Sequence, residues 1–355
     1  MPAVSEPAQR PVVFADLFSG IGGFHLGIRR ALTGARARCA VTCEIDEGAR
    51  RVYAANLLRG DTPAPAAAAT AVATDIRELS GAPYRGRLDL VCGGFPCQSY
   101  SSLGLRKGMR DQRGRLFNDL ARFIGECQPR AFLLENVAGL LTSQKGAAFK
   151  KVSDTLSGLG YTVSYAVLDS QHFGLPQHRK RVYIVGRRVG SSASAPPFDF
   201  APLLAKAARN AERRPVVLRD ILDPGPPPAD LDCDIFAPGD LFAAPKVTRA
   251  GFVLRAQLSN FTNRKLFSTD GVCGTITTGS PPPIYDERYK KARHLSAREL
   301  KRAQGFPAAY RFPTTDSAAR ATVSRSEVVH YVGNAVSVNV IAAIVGEMER
   351  QGLFS

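Results

Sequence analysis

Short apolar runs alternate with amphipathic segments along the first half of the chain, and this alternation constrains the fold more than any other feature. Amphipathic stretches such as 47–58 and 116–127 separate the runs. Such repeats predict βαβ units, and strands that are apolar throughout are typical of a sheet covered on both faces. We therefore expect an α/β fold with a doubly wound, mostly parallel sheet. The runs lie at 12–18, 39–45, 88–95, 131–137, 161–168 and 181–186.

The composition changes after residue 187. Pro, Ser and Asp become frequent, and β-like pieces such as 272–279 are short. Loops and irregular elements are expected to dominate from about 190 to 290. Ser296 and Glu299 form a capping-box pattern that predicts a helix over 295–306, and 332–351 is expected to end in an apolar-faced helix. The predicted organisation is a disordered lead (1–10), a large domain (11–189), a smaller irregular, β-containing domain (190–290) and a return to the large domain (291–355).

The charge of the chain favours a polyanionic partner. The formal net charge is +16, from 47 basic and 31 acidic residues. Residues 106–115 hold five basic side chains and one acid, and residues 246–265 hold five and none. Nucleic acid is the expected partner, and a merely soluble basic surface is the alternative.

Other compositional signals favour a cytosolic protein. No apolar run approaches the roughly 18 residues of a membrane span, and the N-terminus lacks a signal-peptide pattern. The seven cysteines are odd in number and form no CxxC pair, which argues against a metal site or a disulfide framework and for a reducing compartment. Most of these cysteines are expected to be small buried apolar residues.

A glycine-rich segment follows the first predicted strand. "DLFSGIGGFHLG" (16–27) contains Gly20, Gly22 and Gly23, which permit a tight turn and close approach of a ligand. The pattern is not the G-x-G-x-x-G of dinucleotide binders. Glu44 ends the second strand, where a carboxylate can hold ribose hydroxyls, and Asp75 is placed to read an adenine amino group. The expected ligand is a nucleoside without a diphosphate, such as S-adenosylmethionine. An ordinary strand-to-helix turn is the alternative.

Cys97 stands in "GGFPCQSYS" (93–101), directly after a proline and a predicted strand. Ligands of open α/β sheets bind at the carboxyl ends of strands, so this cysteine is a candidate nucleophile. Arg106 and Lys107 follow and would raise its thiolate fraction. Beside a methyl donor, a thiolate can add to C6 of a pyrimidine, which makes C5 nucleophilic.

That chemistry needs an acid near N3 of the pyrimidine. Glu135 ends the run "AFLLENV" and could supply it, although a strand-end salt bridge would explain the residue equally well. Gln177, Arg179 and Arg181 alternate at the start of the next strand and are expected on one face. An arginine there could orient a carboxylate and bind the O2 atom of cytosine, with a solvated basic edge as the alternative.

Taken together, these motifs resemble the DNA cytosine-5 methyltransferases of bacterial type. The resemblance runs in order through most of the chain outside 190–290. PCQ, ENV and Q-x-R-x-R in this order are specific, whereas ENV alone is weak. The matching segments are 16–24, 43–46, 74–76, 93–101, 113–117, 135–137, 177–181, 293–307 and 333–340.

The resemblance implies a Rossmann-like, S-adenosylmethionine-dependent fold and roles for individual residues. Cys97 would attack C6 of a cytosine flipped out of duplex DNA, Glu135 would contact N3 and the exocyclic amine, and region 190–290 would be the target recognition domain. The other catalytic residues would be Arg179 and Arg181. The cofactor pocket would comprise Phe18, Gly20, Ile21, Gly22, Gly23, Glu44, Asp75, Ile76, Pro96 and Asn334. The DNA contacts expected from the resemblance and from side-chain type are Ser101, Arg106, Lys107, Arg113, Gln177, Arg249, Arg255, Arg264 and Thr277.

Several alternatives stay open from the sequence. An RNA cytosine methyltransferase on the same scaffold is one, and a catalytically silent DNA-binding protein is another. A nicotinamide-dependent dehydrogenase is disfavoured by the G-x-G-G loop. We expect a cytoplasmic monomer without a metal site, acting within a short sequence either alone or beside a restriction endonuclease of the same specificity.

Overall fold

The computed structural model describes residues 10–33, 36–58, 70–96, 112–190, 196–248, 252–259, 264–313 and 323–355. Within them, a seven-stranded sheet has the order β3-β2-β1-β4-β5-β7-β6, with β1 to β5 parallel. Its strands are β1 Val12–Leu17, β2 Ala37–Cys43, β3 Ala71–Ala73, β4 Leu90–Gly94, β5 Ala131–Val137, β6 Tyr161–Asp169 and β7 Lys180–Arg188. This confirms the α/β fold with a mostly parallel sheet.

Helices cover both faces of this sheet. Helix α1 packs on α8 against one face, and α3 and α4 pack against the other. The apolar β1 therefore has alternate side chains buried in two different cores. The α-helices are α1 Gly23–Ala31, α2 Glu47–Tyr53, α3 Gln112–Cys127, α4 Ala147–Gly158, α5 Ala201–Ala211, α6 Ala297–Ala303, α7 Arg325–Asn334 and α8 Val338–Arg350.

Strand β7 runs antiparallel to both of its neighbours, β5 and β6. Only residues 170–179 connect β6 to β7, and they form a short 3₁₀ turn, Ser170–Phe173, followed by an extended segment. A parallel connection needs a crossover of a dozen or more residues, so this link permits only antiparallel pairing. The first residues of β7 consequently lie at the edge where β4 and β5 end.

A second sheet has five strands in the order β12-β11-β10-β9-β8. It falls largely in the region predicted to be a smaller irregular domain. Its strands are β8 Lys246–Val247, β9 Val253–Gln257, β10 Lys265–Ser268, β11 Ile284–Asp286 and β12 Lys291–Arg293.

The packing of α5 differs from the predicted division at residue 190. Phe198, Leu203 and Ala207 lie in the core of the large sheet, where α5 contacts α8 and β6. The Pro- and Ser-rich flanks led to an expectation of loops here. The helix nevertheless has Pro202 in its first turn, where a proline is tolerated, and an apolar stripe that needs a partner.

A third core joins the second sheet to the rest of the molecule. It contains Phe267 and Ile284 of the second sheet, Leu300 of α6, Val332 of α7 and Ile21 of the glycine-rich segment. The chain around α7 and α8, Arg325–Arg350, is the helical stretch among the described residues with the length and hydropathy of a membrane span, but 67% of its apolar window is buried in the protein. The six cysteines described are all buried free thiols.

Candidate active site and cofactor site

Glu135 and Arg181 form an ion pair at the carboxyl edge of the large sheet. Arg181 Nε lies 3.1 Å from Glu135 Oε1, and only 11% and 15% of the Glu135 and Arg181 side chains are exposed. Glu135 comes from β5 and Arg181 from antiparallel β7, so two strands fix the pair. The arginine restrains the carboxylate in one orientation while the other carboxylate oxygen is left for another partner.

Gly94 and Asn136 shape the backbone beside this carboxylate. An added Cβ at Gly94 would lie 3.2 Å from Glu135 Oε2, so glycine keeps the approach to the carboxylate open. Asn136 is buried and donates from Nδ2 to the carbonyl of Phe95, at 3.2 Å. Asn136 therefore fixes the chain that leads to Pro96. The predicted nucleophile, Cys97, lies outside the described residues.

Arg179 does not face this edge in the way the sequence predicted. Its guanidinium is buried and donates to the carbonyls of Ile276, Gly333 and Ala335 at 2.9–3.0 Å. Burial lowers the pKa of Arg179 to about 9, so the group remains charged at neutral pH. With its donors used in this way, Arg179 clamps three backbone segments together, and the predicted contact with the target base is not supported.

Gln177 is also misassigned as a DNA contact. It is fully buried, and its amide bonds to Ile276 N, Ala303 O and Gln304 Oε1. Gln304 in turn donates to the carbonyls of Val332 and Ala335. Period-two alternation predicted Gln177, Arg179 and Arg181 on one face. Gln177 and Arg179 both face the junction with the second sheet and α7, whereas Arg181 pairs with Glu135 at the sheet edge.

The glycine-rich segment forms a compact turn between β1 and α1. Phe18, Gly20 and Gly22 have left-handed φ values of +52°, +51° and +83°. An added Cβ at Gly22 would collide with Leu57, whereas one at Gly20 would meet no protein atom within 4 Å. The loop is therefore packed on the α2 side and open at Gly20, as a backbone cradle for a ligand requires.

Acidic and apolar side chains surround this turn. Glu44 accepts from Gly20 N at 2.8 Å and from Asp46 N at 2.9 Å. Ile45, next to Glu44 in the chain, is 68% exposed and offers an apolar surface that no sequence motif indicated. Asp75 is held by Arg77, whose Nε is 2.9 Å from both carboxylate oxygens, so a ligand amino group would share this carboxylate with an arginine.

The remaining predicted cofactor residues lie in two environments. Ile76 is buried in the core beneath the edge, whereas Asn334 is exposed at the end of α7 with its Nδ2 3.1 Å from His330 Nε2. Ile21 is buried in the core shared with the second sheet, and Gly23 packs against Val336. Both Ile21 and Gly23 thus serve to anchor the loop.

A buried polar cluster lies directly below the turn. Asp16 of β1 is fully buried, its Oδ1 lies 3.8 Å from Cys92 Sγ, and its Oδ2 has no hydrogen-bond partner. Burial raises the pKa of Asp16 well above its usual value, against the opposing effects of the His25 amide and the Cys92 thiol. Nearby, His25 Nδ1 lies 2.7 Å from the hydroxyl of Tyr53.

The predicted DNA-contacting residues of the second sheet differ in availability. The Arg255 guanidinium packs over the ring of Tyr285, and its Nε lies 3.5 Å from Glu287 Oε1, so contacts within the protein already engage this group. Arg264 and Thr277 are exposed, and the Thr277 hydroxyl donates to the carbonyl of Ser280. Arg113 lies in the first turn of α3. Ser101, Arg106, Lys107 and Arg249 lie outside the described residues.

An open cavity of about 390 Å³ adjoins these residues in the second sheet. Lys246, Thr248, Gln257 and Phe242 are among its lining residues, and the Lys246 ammonium lies 4.0 Å from the Phe242 ring centre. The cavity combines polar and apolar groups on a basic stretch of chain.

A carboxylate and an arginine at the carboxyl edge of a mostly parallel sheet are the groups expected of a methyltransferase that acts on cytosine, and comparison with known families identifies the class of protein. The family model of the C-5 cytosine-specific DNA methylases matches residues 12–231 and 245–350. The chain therefore belongs to this family and is a DNA cytosine-5-methyltransferase, as the motifs indicated.

Relatives and solved structures agree with this assignment. The chain is 32% identical over 333 residues to the Type II methyltransferase M1.ScrFI of Lactococcus lactis subsp. cremoris, covering 94% of this chain and 77% of the relative. It is 31% identical to the Type II methyltransferase M.NlaX of Neisseria lactamica, over 94% and 95% of the two chains. The fold matches the crystal structure of S. pombe Dnmt2 methyltransferase with a TM-score of 0.67 and 19% identity, over 96% of this chain and 99% of that one.

Proposed function

We propose that the enzyme methylates C5 of a cytosine flipped out of double-stranded DNA, by adding the Cys97 thiolate to C6. The observation that supports this most strongly is the Glu135–Arg181 pair beside Gly94, where the residue order of the chain places Cys97 only three positions after the glycine. The target base must leave the duplex because C6 is not accessible inside the stack.

Each group at this edge has a defined task. Glu135 acts in its protonated form and gives its proton to N3 as the sulfur adds, which keeps the ring neutral and leaves C5 nucleophilic. Arg181 holds the carboxylate and is placed to bind O2 of the cytosine. After the methyl group has been accepted at C5, a base takes the C5 proton, and the electrons of that C–H bond re-form the C5–C6 double bond as Cys97 leaves C6 as the thiolate. N3 returns its proton to Glu135, which restores the neutral aromatic ring.

S-adenosylmethionine supplies the methyl group, and the residues around the glycine-rich turn fit it. The open backbone at Gly20, the carboxylate of Glu44 and the exposed face of Ile45 suit a backbone contact, a ribose and an adenine, respectively. Phe18 completes the apolar surface, and Asp75 is placed to accept from an adenine amine. The absence of a G-x-G-x-x-G pattern agrees with a cofactor that has no diphosphate.

The relatives suggest the biological role of this methylation. Several are Type II methyltransferases, and we propose that this enzyme likewise protects a short sequence from an endonuclease of the same specificity. The second sheet, with exposed Lys246 and Arg264, is the proposed target recognition surface. One flipped base requires one active site, so we propose a cytoplasmic monomer.

Bisulfite sequencing of an unmethylated plasmid, after incubation with the purified protein and S-adenosylmethionine, tests the reaction and the target together. Protection of cytosines in one short repeated context is expected. No protection, in a sample that is folded and binds the cofactor, would favour an RNA substrate or the silent DNA-binding alternative.

The variant Cys97→Ser tests the nucleophile. A serine hydroxyl is ionised far less readily than a thiol, so methylation is expected to be lost while the fold and DNA binding are retained. Cys127→Ser, at a cysteine buried in α3, is the matched control and should retain methylation if it folds. Substantial turnover by Cys97→Ser would contradict the assignment.

A further inference from the structure

The glycine-rich turn is held from the side of the second sheet, by a tyrosine that none of the expected roles includes. Tyr310 is buried, and its hydroxyl donates to the carbonyl of Ile21. Ile21 lies between the two left-handed glycines of the turn. A bond to this carbonyl therefore restrains the peptide planes on which the open backbone at Gly20 depends.

Tyr310 is itself held by α6. Lys301 is buried, and its ammonium donates to the carbonyls of Ala308, at 2.6 Å, and of Tyr310. The ring of Tyr310 packs edge-to-face on Phe306, with centroids 4.9 Å apart. The segment after α6 is thus fixed at its main chain and at its ring, and the hydroxyl has a defined position.

Helix α6 is in turn fixed to the second sheet by buried charges. Glu299 Oε2 lies 2.7 Å from Arg293 Nη1, and Arg293 Nη2 lies 2.9 Å from Asp286 Oδ2. All three side chains are at most 2% exposed. The connection from β11 and β12 through α6 and Tyr310 to Ile21 therefore consists of directional bonds inside a shared apolar core.

We infer that Tyr310 is a positioning residue that fixes the glycine-rich turn for the cofactor and couples it to DNA binding on the second sheet. The inference rests on the proposed function, since it assumes that the turn binds S-adenosylmethionine and the second sheet binds DNA. Coupling between sites is reciprocal, so DNA that orders the second sheet should tighten cofactor binding through this connection.

Tyr310→Phe removes the hydroxyl and little else. Calorimetry with S-adenosylhomocysteine should show affinity weakened by about tenfold, the size of effect expected from the loss of one buried hydrogen bond. A duplex containing the methylated sequence should strengthen that affinity less in the variant than in the wild type. Hydrogen exchange at the amides of residues 18–23 should be faster in the variant without any ligand.

Tyr161→Phe is the matched control, because Tyr161 is also buried and its hydroxyl donates to a backbone carbonyl, that of Pro129, at 2.8 Å. It should leave affinity, coupling and exchange of the turn unchanged. If Tyr310→Phe does not fold, Lys301→Gln, which loosens the same segment at its main chain, takes its place. Wild-type affinity and exchange in the variant would overturn the inference, whereas a wild type that fails to bind S-adenosylhomocysteine would overturn the proposed cofactor instead.

Discussion

The residues of this site owe their properties to burial as much as to identity. Glu135 and Arg181 are both largely withdrawn from solvent and satisfy each other, whereas Asp16 is buried with one oxygen unpaired. A carboxylate that lacks a compensating charge is expensive to bury, so its neutral form is favoured. The two acids at this edge of the sheet are therefore in opposite situations.

Asp16→Asn tests this contrast through stability. The pKa of Asp16 is raised in the folded protein, so the folded state keeps a proton that the unfolded state loses above about pH 4. Wild-type stability is accordingly lost as pH rises from about 4 toward the folded pKa, whereas an asparagine has no proton to lose. The unfolding free energy of the variant, measured by urea denaturation, should gain on that of the wild type across this window.

The comparison needs two pH values only. Near pH 4 the two proteins should differ least, because the folded aspartic acid is neutral and resembles the amide. If the variant gains no stability relative to the wild type between pH 4 and pH 7, Asp16 ionises in the folded protein as readily as in the unfolded one, and the prediction is wrong.

At the scale of elements, the antiparallel β7 decides which residues reach the site. In a wholly parallel sheet, residues 177–181 would lie at the amino edge, across the sheet from Glu135. Reversal of β7 brings Arg181 to the carboxyl edge, within 3.1 Å of Glu135. The same reversal carries Arg179 to the junction with α7, where three carbonyls receive its guanidinium.

Arg179→Ala should destabilise the protein by about 3 kcal/mol, because three carbonyls lose a charged donor in a buried place. Arg188→Ala is the control. Arg188 ends β7, the strand that begins directly after Arg179, and it donates to the carbonyl of Gln128, but it is exposed and its loss should cost under about 1 kcal/mol. Urea denaturation of both variants measures the difference. Equal, small losses would mean that Arg179 is not a clamp.

Sequence patterns predicted the positions of individual strands and helices well. They predicted less well which elements pack or pair with one another. The run 131–137 is β5 residue for residue, and the Ser296–Glu299 pattern is a capping box on α6. These features depend on side chains close in sequence. The direction of β7 follows from the length of the 170–179 link, a signal that was present but not used, and the packing of α5 was obscured by its Pro- and Ser-rich flanks.

Part of the site could not be read from the sequence at all. The residue types and spacing indicated a carboxylate at Glu135 and an arginine at 179 or 181 that could orient it, and the fold shows that Arg181 is the arginine paired with Glu135. The residues that hydrogen-bond to the Gln177 amide and the Tyr310 hydroxyl, however, lie more than 95 residues away along the chain. Only the three-dimensional fold shows that these side chains face inward. A polar side chain beside a motif is equally compatible with DNA and with a buried carbonyl.

Across the whole molecule, the second sheet is inserted into the chain between β7 and α6, yet its core is continuous with α6, α7 and the glycine-rich turn. A recognition surface attached in this way is not an independent appendage. If DNA binds the second sheet and the cofactor binds the glycine-rich turn, as proposed, one continuous core supports both sites, and substitutions in that core should affect both ligands.

The net charge of +16 favours DNA binding, and the number of basic groups that neutralise phosphates sets how that binding responds to salt. If about five of the ten basic residues in 106–115 and 246–265 neutralise phosphates, log Kobs should fall with log salt at a slope of about −4.5. Affinity would then drop by about 500-fold between 50 and 200 mM salt, as measured by fluorescence anisotropy with a labelled duplex.

Lys246→Ala and Arg264→Ala should each reduce the slope by about 1, because each removes one exposed charge from the second sheet. Lys150→Ala, which removes an exposed lysine paired with Asp154 on α4, should leave the slope unchanged. An unaltered slope in both second-sheet variants would place the phosphate contacts elsewhere on the molecule.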